Sequence, residues 1–110
     1  MIETGLVYMK NSNIDWEFVE TLTGTGEGGT FLWPDNQASA RDIQISFKID
    51  WLQKVSPKYL VEIGTHRAHF CYLCKFTIPS IKIVTLDIAD RQENVTKVNT
   101  YFKTEDICFK

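Results

Sequence analysis

The chain has 110 residues, of which 44% are hydrophobic and 24% charged. That suits one small domain with a single core and excludes a disordered chain or two ordinary domains. The formal net charge is −2, with 12 basic and 14 acidic residues spread along the chain and no block of Lys and Arg, so nucleic acid is not favoured as a partner.

No apolar run approaches the roughly 20 residues of a membrane span. The N-terminal "MIETGLVYMKNSN" has neither the basic start nor the apolar core of a signal peptide. The expectation is a protein without a membrane partner, located in the cytoplasm, whose three cysteines are free thiols. The sequon at Asn94, Val95 and Thr96 matters only in a secreted protein.

In "SNIDWEFVETL", Asp15 follows Ser12 by three residues, as in a capping box, and Ile14, Phe18 and Leu22 recur at helical spacing. A short amphipathic helix is expected there. "TGTGEGG" and "LWPDNQ" follow, rich in Gly, Pro, Asn and Asp, and read as a loop. Residues 1–36 thus form an N-terminal helix and a glycine-rich loop, and residues 37–110 an α/β domain.

"DIQISFKIDWLQKV" fits two periods. Ile43, Ile45, Phe47, Ile49 and Trp51 alternate strictly, as in a half-buried strand. Ile45, Ile49 and Leu52 also make a helical stripe, beside Phe47, Trp51 and Val55. The length of the run, Ser39 followed by Asp42 as a possible cap, and in part the family resemblance reached below favour the helix. "YLVEI" then reads as a buried strand ending at Gly64. "RAHFCYLCKFT" reads as a helix that ends near Ile78, because the residue before Pro79 avoids helical geometry. "IKIVTLDI" is a second buried strand, "NVTKVNTYFK" a helix with Val95, Val98 and Phe102 on one face, and "DICFK" a third strand. Strands alternating with helices imply a parallel sheet with right-handed crossovers, whose strands read as continuous apolar runs.

Two glycine patterns compete for a functional reading. "GTGEGG" has Gly24, Gly26 and Gly29 in the G-x-G-x-x-G order, but that pattern cradles phosphate only between a strand and a helix. Here a helix precedes it, so it reads as a surface loop, with a lid over a binding site as the lesser alternative. "VEIGTHRAH" has fewer glycines in the right context. Glu62 and Gly64 close the first parallel strand and a helix opens directly afterwards, in the crevice where open α/β sheets bind ligands. Asp87 ends the next strand, where a carboxylate can accept from both hydroxyls of a ribose.

On these residues, "VEIGTHRAHF" followed by "IVTLDI" resembles the class I S-adenosylmethionine-dependent methyltransferases. Glu62 and Gly64 match the first two fixed positions of that family's first motif, while His66 and Ala68 stand at its second and third glycines. The resemblance covers about residues 57 to 110. It implies an incomplete Rossmann-like parallel sheet of about three strands with flanking helices. It also implies S-adenosylmethionine as cofactor, held by Glu62, Gly64, Thr65, His66, Asp87 and Ile88, with Asp87 on the ribose and Ile88 against the adenine. The family's substrate-binding and catalytic residues lie mostly after later strands. The expected function is therefore the cofactor-binding part of a methyltransferase, inactive as it stands, with no assigned acceptor or general base.

Two alternatives remain open. One is a noncatalytic interaction module that self-associates through an open sheet edge. The weaker one is a nicotinamide-dependent oxidoreductase, disfavoured because a histidine stands at the second glycine position. His66, His69, Cys71 and Cys74 are zinc-type ligands, but on one helix they do not converge on a single ion. The bland reading makes Cys71 and Cys74 core residues and His69 a surface residue. Asp90 and Arg91 read as solvated loop residues. The tryptophans Trp16, Trp33 and Trp51 read as core or interface anchors.

Overall fold

A computed structural model of the chain describes residues 13–22 and 38–110. Ser12, the "GTGEGG" segment and Trp33 lie outside the described residues.

Helix α1 spans Trp16–Thr21. Its N-cap is Asp15, the residue expected at the far side of a capping box. Asp15 Oδ1 accepts from the Phe18 N–H at 3.0 Å, satisfying one of the donors that a helix start leaves open. Asp15 Oδ2 also accepts from the Tyr101 hydroxyl at 2.8 Å, and its N–H donates to the Tyr72 hydroxyl at 3.0 Å. The cap therefore ties α1 to two distant helices. Ile14, Val19 and Leu22 are buried, and Phe18 stacks on Tyr101 with ring centroids 4.2 Å apart.

Helix α2 spans Ala38–Val55, so the segment with two competing periods takes the helical one. It is already helical at Ala38, which places Ser39 inside the helix and not at its cap. Ile45, Ile49 and Leu52 are buried and α2 packs on the next helix, while Phe47, Trp51 and Val55 are exposed on another side. Apolar residues on two sides of one helix produced the false strand alternation.

Strands β1 (Tyr59–Ile63), β2 (Lys82–Leu86) and β3 (Ile107–Phe109) form one sheet in the order β1-β2-β3, both pairings parallel. The crossovers are α3 (His69–Thr77) and α4 (Gln92–Phe102), with α3 packed on α4 and α4 on β3. Helix α3 ends at Thr77, with Ile78 as its C-cap just before Pro79. This is an α/β fold with a three-stranded parallel sheet flanked by helices. Its core joins Cys71, Leu73 and Cys74 of α3, Ile83 of β2, Val95 and Val98 of α4, and Ile107 of β3.

The expected burial of β1 is not observed. Tyr59 (75% exposed), Val61 (67%) and Ile63 (89%) face outward, while Leu60 and Glu62 face the helices. The apolar run was read as a strand covered on both faces. Instead β1 is an edge strand, and among the described residues the helices cover only the face carrying Ile83, Thr85 and Ile107.

A buried cation staples the bottom of the sheet. Lys75, only 1% exposed, donates from its ammonium to the carbonyls of Pro79 and Ile81 and to Asp106 Oδ2, the last at 2.8 Å. Asp106 Oδ1 also holds Lys82 at 2.8 Å. Three acceptors compensate the desolvated charge. Hydrogen bonds from the two lysines hold the Asp106 carboxyl well below the usual carboxylate range. Among the described residues no helix is long and apolar enough to cross a membrane.

Candidate functional site

The loop between β1 and α3 carries the site. The N–H groups of Gly64 and Thr65 both donate to the Leu86 carbonyl, at 2.7 and 3.0 Å, prolonging the β1–β2 contact beyond the strand ends. The backbone is then left-handed at every second residue, with φ of 97° at Gly64, 53° at His66 and 68° at Ala68. This conformation is cheap for glycine and strained for other residues. The helix expected to open directly after Gly64 therefore starts only at His69, after a tight reversal.

Asp87, just past β2, binds this reversal. Its Oδ2 accepts from the His66 N–H at 2.8 Å and from Arg91 Nε at 3.4 Å, and its Oδ1 accepts from the Ala89 N–H at 3.0 Å. Those backbone donors, Ala89 first and His66 next, with the Arg91 charge behind them, hold the Asp87 carboxyl down to about 2. Asp87 is thus an anion at neutral pH. Arg91, expected to solvate a loop, is an Asp87 partner, and Asp90 accepts from the Gln92 N–H at the start of α4.

Glu62 points to the helix side of the sheet. Its Oε1 accepts from the Thr85 hydroxyl at 2.7 Å and from Cys71 Sγ at 3.3 Å. Thr65 and Thr85 share a hydrogen bond of 2.6 Å; because Thr85 gives its single proton to Glu62, Thr65 is the donor. Burial pushes the Glu62 carboxyl up, against the pull of the Thr85 and Cys71 bonds and of the nearby Lys48 charge. Lys48 of α2 sits 5.7 Å from the centroid of the Phe70 ring, and desolvation lowers its pKa.

Two cavities meet at Gly64. One, of about 350 Å³, lies among Lys48, Glu62, Thr65, His66 and Arg67. The other, also of about 350 Å³, lies among Ile63, Asp87, Ile88 and Lys110. The six residues expected at the site are therefore brought together around one loop. Thr65 is a supporting residue: its side chain is buried in the hydroxyl chain to Glu62, its N–H donates to the Leu86 carbonyl and its carbonyl accepts from the Ala68 N–H. Ile88 is fully exposed.

Lys48, Thr85 and Cys71 were not anticipated as partners of Glu62. Thr85 follows from the register, which sets Glu62 opposite it, and that register is invisible before the strands are paired. Lys48 lies three residues after Ile45, a weak signal that α2 would bring it toward the buried side.

His69 is a correction: expected at the surface, it is 4% exposed, and burial pushes its ring down to about 4 against the opposing pull of the nearby Val19 backbone. His69 is the first residue of α3 and lies near the Val19 backbone of α1, so the docking of α1 takes it from solvent. Cys71 and Cys74 are buried as expected, and desolvation followed by the Glu62 charge raises both thiols, so they stay protonated. Among the described residues no group of three or more His, Cys, Asp or Glu is placed to hold a metal ion.

Searches of protein-family models, of curated proteins and of solved structures find no match to this chain.

Proposed function

We propose that the chain is the cofactor-binding part of an S-adenosylmethionine-dependent methyltransferase with a Rossmann-like sheet. The observation that carries the reading is the Gly64–Ala68 reversal tied to Asp87. Positive φ occurs at the three alternate positions, 64, 66 and 68, where the resembled motif has its glycines. The reversal sits at the carboxyl ends of two parallel strands, and it separates two cavities of a size suited to a small ligand.

The residues present fit the group. A carboxylate offers about four acceptor sites, and three hydrogen bonds to Asp87 leave one for a ribose hydroxyl. Ile88 offers an exposed apolar surface beside that carboxylate for a base. Both hydrogen bonds to Glu62 fall on Oε1, which leaves Oε2 for an ammonium in the first cavity. Bound S-adenosylmethionine would supply an electrophilic methyl group on its sulfonium. The contribution of this chain is positioning: the loop sets the ligand between Glu62 and Asp87.

Isothermal titration tests the reading. S-adenosylmethionine should bind saturably at or below the millimolar range, and Asp87→Ala should weaken binding tenfold or more, about 1.4 kcal/mol. Absence of saturable binding to a chain shown by circular dichroism to be folded would sink it.

The exposed face of β1 favours a second reading, a noncatalytic module that associates through its sheet. Tyr59, Val61 and Ile63 expose apolar surface beside an edge whose backbone groups have no partner strand among the described residues.

A further inference from the structure

Asn94 does work in this fold that neither reading above assigns to it. It sits in the first turn of α4, half-buried, and opens the sequon that the sequence alone made notable. Its Nδ2 donates to the Leu22 carbonyl at 2.8 Å and to the Arg67 carbonyl at 3.0 Å. Both protons of one amide are thereby committed, to partners 72 and 27 residues away.

The two acceptors are distinct parts of the molecule. Arg67 lies between the left-handed residues His66 and Ala68, at the centre of the reversal. Leu22 is the C-cap of α1. Other bonds holding the reversal come from β2 and its end: Gly64 and Thr65 to Leu86, and His66 to Asp87. Asn94 holds it from the opposite side, through α4.

We propose that Asn94 is a positioning residue for the ligand-binding loop. By fixing the Arg67 carbonyl it sets the direction of the backbone between the two strained residues, and through Leu22 it makes the end of α1 and the loop one unit. Lys97, one turn along the same helix, supplies the comparison: its Nζ donates to the Thr21 carbonyl at 3.1 Å and so docks the end of α1 one residue before Leu22.

The experiment compares wild type, Asn94→Ala, Asn94→Ser and Lys97→Ala by two readouts. The first is the affinity for S-adenosylhomocysteine, and it rests on the cofactor reading above. The second is the set of backbone amide resonances of residues 64–68 without ligand, which does not. Both Asn94 variants should shift those resonances and weaken binding at least fivefold, whereas Lys97→Ala should do neither. The serine variant keeps one donor, so it serves if the alanine variant does not fold. Unmoved loop resonances in a folded Asn94 variant would overturn the proposal. So would an equal effect from Lys97→Ala, which would reduce Asn94 to a docking contact for α1. Failure of wild type to bind S-adenosylhomocysteine would count against the cofactor reading, and the loop resonances would still decide the role of Asn94.

Discussion

Burial moves both His69 and Glu62 toward their neutral forms. For His69 the folded value of about 4 lies below the ordinary 6.5, so the unfolded chain takes up a proton that the folded chain refuses. Stability from this group is present above pH 6.5 and is lost as pH falls toward 4. Linkage makes the loss about 2 kcal/mol at pH 5 relative to pH 8. Glu62 acts in the opposite sense, because its raised carboxyl favours the fold as pH falls, and it offsets part of the loss. Urea unfolding at pH 8 and pH 5 should show lower stability in acid. A His69 ring that titrates near 6.5 by NMR would show that it is not desolvated as described.

At the scale of elements, local chemistry sets three of the helix ends. Asp15 opens α1 with its own carboxylate, and Pro79 closes α3. Helix α4 ends in a Schellman arrangement: the Lys103 N–H donates to the Thr100 carbonyl at 3.1 Å, and the Thr104 N–H to the Asn99 carbonyl at 2.9 Å. Lys103 occupies the left-handed position, φ 57°, where glycine is usual. Relief of about 1–2 kcal/mol of strain exceeds the roughly 0.5–1 kcal/mol that glycine costs in unfolded-state entropy. Lys103→Gly should therefore raise stability by about 0.5–1 kcal/mol, seen as a higher urea midpoint at unchanged slope. A lower midpoint would mean that the aliphatic stem of the lysine contributes more than the backbone strain costs.

At the scale of the whole molecule, the described residues are lopsided. A parallel sheet is ordinarily covered on both faces, yet among the described residues the helices lie on one. The other face presents Tyr59, Val61 and Ile63, with Val84 and Leu86 beside Val61 and Ile63 in register. If this surface drives association, light scattering should show dimers or larger species whether or not S-adenosylmethionine is present. Val61→Thr combined with Ile63→Thr should shift them toward monomer. A chain that is monomeric before substitution would remove the module reading's main support.

What the sequence determined by itself was local. Helix and strand types followed from period and punctuation, as with "YLVEI" ending at Gly64 or Pro79 stopping α3. The alternation of elements implied the parallel sheet, and the context of "VEIGTHRAH" located the loop that the structure laces to Asp87. The tertiary structure decided what depends on neighbours distant in sequence. Burial of β1 turned on whether a second layer covers it, which a short apolar run cannot encode. Burial of His69 turned on the docking beside it of α1, which Tyr72 and Tyr101 hold in place. The partners of Glu62 came from strand register, and the grip of Asn94 on Arg67 came from packing α4 against a left-handed loop. Periodicity reports which side of an element is apolar; only the assembled fold says what, if anything, meets that side.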